Sequence, residues 1–146
     1  MRVQRSIEIA APPEKIWPFL AEPEKILEWY IPLQKFDYTS EQHGGVGAPL
    51  YFEEKVAGQL MKLNCVVTEW VEHEKIAFSM TAGKGMKTYG ERWTIEATPS
   101  GSRFTFAEQA ELPYRIIDKL IGPLTQRMSG AIVEKMLAKL KNLAEA

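Results

Sequence analysis

A change of hydrophobic period near Pro113 is the feature that most limits what this chain can fold into. Before it, short segments of alternating apolar and polar residues, such as Val3–Ile9 and Leu60–Val71, predict β-strands. After it, apolar residues recur at spacings of three or four, which predicts one long amphipathic helix. An antiparallel sheet has one inner face that must be covered, and this helix is the only predicted element long enough to cover it.

Two short helices are predicted between the first strand and the others. Ala11-Pro12-Pro13 ends the first strand, and proline at a first helical position suits a helix start. Glu22-Pro23 separates the two helices, and Pro32 ends the second. The sequence therefore predicts an α+β domain over 1–146. Its twisted antiparallel sheet, of about six to seven strands, wraps around the long C-terminal helix.

Charge and cysteine usage exclude several classes of function. The chain has 18 Lys and Arg against 19 Asp and Glu, so its net charge of −1 gives no general attraction to nucleic acid. Its single cysteine, Cys65, cannot form an internal disulfide, and metal-ligand spacing is absent. No segment approaches the length of an apolar membrane span. We expect a soluble cytoplasmic protein without metal or cofactor.

The opening Ser6–Trp17 segment resembles the strand-to-helix entry of the START-like (SRPBCC) superfamily. That superfamily includes polyketide cyclase/dehydrase-like proteins, lipid-transfer domains and the major birch pollen allergen. The resemblance continues in Ala21–Trp29, Val67–Trp70 with Ile76–Phe78, and Trp93–Ile95 with Phe104–Phe106. It implies a helix-grip fold with a cavity beneath the C-terminal helix for a hydrophobic or amphipathic molecule.

Large apolar side chains on predicted inward positions are the candidate ligand-binding residues, because aromatic and methionine surfaces adapt to irregular apolar ligands. They come from the two short helices, the strand faces and the long helix. The predicted set is Trp17, Leu20, Leu27, Trp29, Leu63, Cys65, Phe78, Met80, Tyr89, Trp93, Phe106, Leu124 and Met128. Plain core packing explains many such residues equally well. We expect Trp17, Trp93, Phe104, Phe106 and Met128 to be largely buried.

Two carboxylates are the candidate acid/base groups. If the turn at 99–102 sets the register, Trp93 lies opposite Glu108, and alternation places Glu91 and Glu108 on the inner face. Two inward carboxylates would repel each other and resist ionisation, as a general acid/base requires. The alternative is that both are solvated or paired with Arg92, Arg103 or Lys87. His43 and His73 lie in polar turns without partners for catalysis or metal binding.

The C-terminal helix suggests two further features. Its basic excess favours a solvated outer face and leaves open a transient contact with an acidic membrane, without stable insertion. Gly122-Pro123 interrupts the helical pattern, so we expect a kink or break there, which could be the hinge of a ligand portal.

Three functions remain open at this stage. The first is a binding or carrier protein for a lipid, polyketide or aromatic-type molecule, acting as a monomer or weak homodimer. The second is an enzyme resembling polyketide cyclases or dehydratases, with Glu91 or Glu108 as acid/base. The third is a chaperone-associated stress module, which would require an exposed apolar surface outside the cavity.

Overall fold

A computed structural model of the protein describes residues 1–56, 58–113 and 115–146, without the side chains of 115–125. Seven strands form one antiparallel sheet in the order β1-β7-β6-β5-β4-β3-β2. The strands are β1 (Arg2–Ile9), β2 (Leu33–Tyr38), β3 (Pro49–Val56), β4 (Gln59–Val71), β5 (Lys75–Gly83), β6 (Thr88–Thr98) and β7 (Gly101–Glu111). The predicted helix-grip architecture is confirmed, with a long final helix, α4 (Arg115–Glu145).

The segment after β1 forms three short helices where two were predicted. They are α1 (Pro13–Ile16), α2 (Pro18–Ala21) and α3 (Pro23–Trp29), each beginning with proline. Trp17 between α1 and α2 is itself helical, with φ −50° and ψ −44°. Pro18 has no N–H to donate back along the helix, so the first predicted helix divides there.

The inner face of the sheet holds a dense aromatic core. Trp29 contacts Trp93 and Phe104 edge-to-face, with ring centroids 5.4 and 5.8 Å apart. Its indole N–H donates to the carbonyl of Phe19 at 2.7 Å, so the polar atom of this buried ring is satisfied. The predicted burial of Trp17, Trp93, Phe104 and Phe106 is confirmed.

The prediction that Met128 is buried is wrong, because 52% of this residue is exposed. Residues spaced exactly four apart do not stay on one side of an α-helix, because each step of four turns about 40° beyond a full circle. Met128 therefore lies at the edge of the side that α4 buries, which is formed by Val133, Met136, Leu137, Leu140 and Ala144.

Polar contacts attach α4 to β1. The guanidinium of Arg5 pairs with Glu134 at 3.1 Å, and the backbone N–H of Ala10 donates to Glu145 at 2.8 Å. The helix continues through Gly122-Pro123. The hinge hypothesis and Leu124 concern side chains outside the described residues. None of the described helices combines the length and hydrophobicity needed to cross a membrane.

Candidate functional site

The β6–β7 hairpin brings the two predicted carboxylates face to face. Glu91 pairs with Glu108 in the register, and Trp93 pairs with Phe106. The predicted pairing of Trp93 with Glu108 is therefore wrong by two residues. The strands pair as far as Thr98 and Gly101, so the turn is shorter than the 99–102 loop that the prediction assumed. A shift of two preserves the face of each side chain, and both carboxylates point inward as predicted.

Glu91 is the best-satisfied carboxylate of the site. Its Oε2 accepts hydrogen bonds from the hydroxyls of Tyr89 at 2.6 Å and Tyr30 at 2.9 Å. Its Oε1 accepts the indole N–H of Trp93 at 3.1 Å. Only 4% of Glu91 is exposed. Three donors to one buried carboxyl group are the arrangement that best stabilises its ionised form.

Tyr89 connects Glu91 to two further carboxyl groups. Its hydroxyl oxygen lies 2.9 Å from Glu108 Oε2 and 3.4 Å from Glu54 Oε2. A tyrosine hydroxyl has one proton, and Glu91 is its nearest acceptor. When Tyr89 donates this proton to Glu91, its oxygen can only accept a hydrogen bond from Glu108. The 2.9 Å distance between the Tyr89 and Glu108 oxygens therefore requires a proton on Glu108.

Burial raises the pKa of all three carboxyl groups. For Glu91, burial and then the charge of Glu108 raise the pKa from 4.5 to about 8, against the opposing hydrogen bonds. The pKa of Glu54 is raised well above its ordinary value by burial, then by Glu108 and Glu91, against opposing hydrogen bonds from Tyr89 and Tyr30. Burial also raises the pKa of Glu108, partly offset by hydrogen bonds from Tyr89 and Tyr30. The cluster therefore holds protons at neutral pH, and these belong to the group as a whole.

A cavity of about 100 Å³ lies between this cluster and α4. Glu54, Glu108 and Tyr30 form its polar side. Its other walls are mainly apolar and include Val56, Phe106, Met128, Ile132, Val133 and Met136. The cavity thus joins an apolar wall to acidic groups that keep their protons, a combination suited to an amphipathic molecule.

The predicted ligand-binding residues divide into three groups. Phe106 and Met128 line this cavity, and Tyr89 and Trp93 contact the carboxyl cluster. Others are packed in the core with no place in the cavity lining, namely Leu20, Trp29, Leu63, Cys65 and Phe78, with Met80 partly buried against them. Trp17 packs instead against Trp70 and His73, and Leu27 is 39% exposed.

Sequence reasoning missed Glu54 and Tyr30. The alternation of β3 contained the signal for Glu54, because Leu50 and Phe52 are inward and Glu54 is the next residue in phase. Tyr30 follows the last residue of α3, where no simple period indicates direction. The alternative pairings expected for Glu91 and Glu108 are wrong. Arg92, Arg103 and Lys87 pair instead with Glu69, Glu8 and Glu111.

The remaining chemical candidates have structural roles. Burial, and then the charge of Glu91, raises the pKa of the Cys65 thiol, which suits an inert core residue. His43 stacks on Tyr38, and His73 packs against Trp17. Glu54, Glu91 and Glu108 each offer an oxygen within 4.8 Å of the others, a grouping compatible with a hard cation.

A larger hollow of about 570 Å³ lies on the opposite face of the sheet. Outward residues of β5, β6, β7 and β1 form most of its floor, including Ser79, Gly90, Ala107 and Gln4. None of the tyrosines of the carboxyl cluster lines it. Glu91 and Glu108 are also among its lining residues, so the hollow adjoins two of the acid/base groups. The smaller internal cavity is the better candidate site despite its size, because it adds Glu54 and Tyr30 and has an apolar wall.

Solved structures show the same architecture over nearly the whole chain. A protein from Thermus thermophilus matches with a TM-score of 0.82 at 19% identity, over 99% of this chain and 97% of that one. A START superfamily protein from Mycobacterium smegmatis matches at 0.76 and 17% identity, over 99% and 97%. The Zhui aromatase/cyclase from Streptomyces sp. R1128 matches at 0.71 and 16%, over 99% and 90%. A comparison with curated protein sequences found no match.

The seven-stranded sheet, the covering helix and the internal cavity define a START-like protein with a fold that binds hydrophobic ligands. The family model described as polyketide cyclase/dehydrase and lipid transport matches residues 1–145. The chain belongs to this family.

Proposed function

We propose that the protein binds a small hydrophobic or amphipathic molecule between α4 and the carboxyl cluster, as a binding or carrier protein. The cavity itself carries this proposal, because it combines apolar walls with two inward carboxyl groups at one end. Among the exposed large apolar side chains, Val56, Met128 and Ile132 belong to this cavity. Their exposure is explained by an opening through which a ligand enters. A cytoplasmic location and a monomer or weak homodimer stay predictions.

A neutral fluorescent probe tests this function directly. N-phenyl-1-naphthylamine should gain fluorescence with the protein, and lipids or aromatic compounds should displace it. The variant Ile132→Trp places a larger ring in the cavity wall and should reduce probe binding about tenfold. Val71→Trp enlarges an exposed residue outside the cavity lining and is the matched control. A probe that binds both variants equally would contradict the proposed site.

An acid/base enzyme is the second candidate, and the hydrogen-bonded line of Glu108, Tyr89 and Glu91 favours it. Carboxyl groups that keep their protons at neutral pH are suited to giving a proton to a bound carbonyl compound. The description of the family as polyketide cyclase/dehydrase supports this candidate. Turnover of a β-keto thioester that is lost in Glu108→Gln, with the probe still bound, would establish it. A wild-type protein that binds such thioesters unchanged would be a carrier.

A further inference from the structure

We propose that the preferred ligand is an amphipathic amine, with its ammonium group on Glu54 and Glu108 and its apolar part against α4. This inference rests on the proposed function, because it names the class of molecule that the cavity binds. The observations behind it are the missing counter-charge of the cluster, the isolation of Glu54 and the distribution of polar groups around the cavity.

No described side chain brings a positive charge to the carboxyl cluster. The cation that acts on it is the amino group of Met1, which lowers the pKa of Glu108 and itself donates to the carbonyl of Ala110 at 2.8 Å. None of the described ion pairs includes Glu54, Glu91 or Glu108. Neighbouring cations on β6 and just before it are engaged elsewhere, since Arg92 pairs with Glu69 at 2.9 Å and Lys87 with Glu111 at 3.9 Å. Buried carboxylates are ordinarily paired. A ligand that brings a positive charge would supply the partner that the described side chains do not.

Glu54 is the residue that most needs such a partner. It is only 6% exposed and it lines the cavity. The hydroxyl of Tyr89 lies 3.4 Å from its Oε2, and the hydroxyl of Tyr30 also acts on it. These two hydroxyls lie closer to Glu91, at 2.6 and 2.9 Å. Because each hydroxyl has one proton to donate, Glu54 keeps no close donor when both protons go to Glu91. A buried carboxyl group without a close donor, directed into a cavity, marks where a ligand donor would sit.

The cavity separates polar and apolar chemistry as an amphipathic amine requires. Glu54 and Glu108 stand at one side, while Met128, Ile132 and Met136 of α4 form an apolar wall. The one lysine among its described lining residues, Lys55, is exposed and belongs to none of the described ion pairs. An ammonium group can donate up to three hydrogen bonds, so one head group can reach both carboxyl groups.

Binding of an ammonium group should release a proton from the cluster. The amine enters with its charge, a carboxyl O–H loses its proton to the buffer, and an ammonium–carboxylate hydrogen bond forms. The described lining residues of α4 carry no titratable group. The titratable groups that face the three carboxyl groups or line the cavity from other elements are Tyr30, Lys55, Cys65, Tyr89 and the amino group of Met1. A ligand without charge leaves this proton in place.

Three competitors with one alkyl chain test the inference on the full chain at pH 7. Octylammonium should displace N-phenyl-1-naphthylamine about tenfold better than octan-1-ol, the effect expected of one charge-assisted hydrogen bond. Octanoate should compete least. Calorimetry in two buffers of different ionisation enthalpy should show proton release with octylammonium and none with octan-1-ol. Equal competition without proton release would overturn the inference and leave the proposed function standing.

Isosteric variants locate the charge. Glu54→Gln should weaken octylammonium binding about tenfold and leave octan-1-ol unchanged, since the amide cannot ionise. Glu53→Gln, one residue earlier on the opposite face of β3, should change neither. If the probe fails to bind, direct calorimetry with octylammonium decides between the two proposals. Heat with proton release then supports the amine, and no heat refutes both.

A metal ion is the other source of positive charge, and a separate titration distinguishes it. Protein treated with chelator should keep its affinity for octylammonium, and CaCl₂ should neither release protons nor compete. A micromolar metal titration that releases the same proton and blocks octylammonium would overturn the amine in favour of a metal site. Loss of this metal effect in Glu54→Gln would place the ion at the same cluster.

Discussion

The β6–β7 hairpin has two ends that bury opposite chemistries from the same pair of strands. Near the turn, inward pairs are apolar, with Trp93 beside Phe106 and Ile95 beside Phe104. One inward pair further from the turn, Glu91 lies beside Glu108. The apolar end gains free energy from burial, whereas the carboxyl end loses hydration that hydrogen bonds replace only in part.

This difference favours a structural role for the apolar end and agrees with the ligand role that we propose for the carboxyl end. Trp93 belongs to both ends, since its ring packs on Phe78 at a centroid distance of 5.3 Å and its N–H donates to Glu91. The aromatic end thereby fixes the position of the first carboxylate. Groups whose burial raises their pKa without a stabilising partner are common at functional sites, and a cavity adjoins them here.

The largest expected difference between the ends is their response to pH. The pKa of Glu91 is 4.5 in the unfolded chain and is raised to about 8 in the folded protein. Below the first of these values, both states hold the proton. As the pH rises between these values the unfolded chain ionises while the folded chain keeps its proton, so stability falls by on the order of a few kcal/mol. Above the upper value the loss is complete.

Urea unfolding at a series of pH values measures this loss. Glu91→Gln should reduce the decline, because its amide does not titrate in either state. Glu53→Gln, on the outward face of β3, should retain the decline of the native chain. If the free energy of unfolding declined equally steeply with pH in Glu91→Gln and in the native chain, ionisation of Glu91 would not be the cause of the decline. The expected difference in pH response between the two ends of the hairpin would then be wrong.

The apolar end should respond to loss of volume instead of pH. Trp29→Ala removes a fully buried ring that contacts Tyr30, Trp93, Phe104 and Phe106. It should lower the free energy of unfolding by about 3–5 kcal/mol, the usual cost of such a cavity. The same loss is expected at acidic and neutral pH, since no carboxyl contact disappears. A loss that changed strongly with pH would show that packing at the apolar end is coupled to ionisation at the carboxyl end.

The alternation of residues along the strands correctly predicted that both carboxylates face inward. The assumed turn predicted their cross-strand pairing incorrectly. The register was wrong by two residues, yet Glu91 and Glu108 stayed on the inner face, because faces repeat every second residue. Met128 was misplaced because small angular errors accumulate along a helix, whereas they do not along a strand. The hydrogen bonds from Tyr30 and Tyr89 join segments distant in sequence, and no local pattern could supply them.

The smallest expected effect is on stability, and it concerns the difference between Glu54 and Glu91 within the carboxyl cluster. Glu91 accepts three donors at 3.1 Å or less, while the Tyr89 hydroxyl lies 3.4 Å from Glu54 and the Tyr30 hydroxyl that also acts on Glu54 lies 2.9 Å from Glu91. Glu54→Met should therefore stabilise the protein at pH 8 by about 1–3 kcal/mol, since it removes a costly group and leaves no donor unpaired. At pH 4 the gain should nearly vanish, because the carboxyl group is neutral in both states.

Urea unfolding of Glu54→Met at both pH values makes this test, with Glu53→Met as the outward control expected to stay within about 0.5 kcal/mol. A stabilised variant that also loses octylammonium binding would show that Glu54 is kept for a ligand at the expense of stability. A destabilised variant would mean that Glu54 has a stabilising partner in the folded chain. The contrast between a satisfied and an unsatisfied carboxyl group would then be wrong, and the site would have to be explained from Glu91 and Glu108 alone.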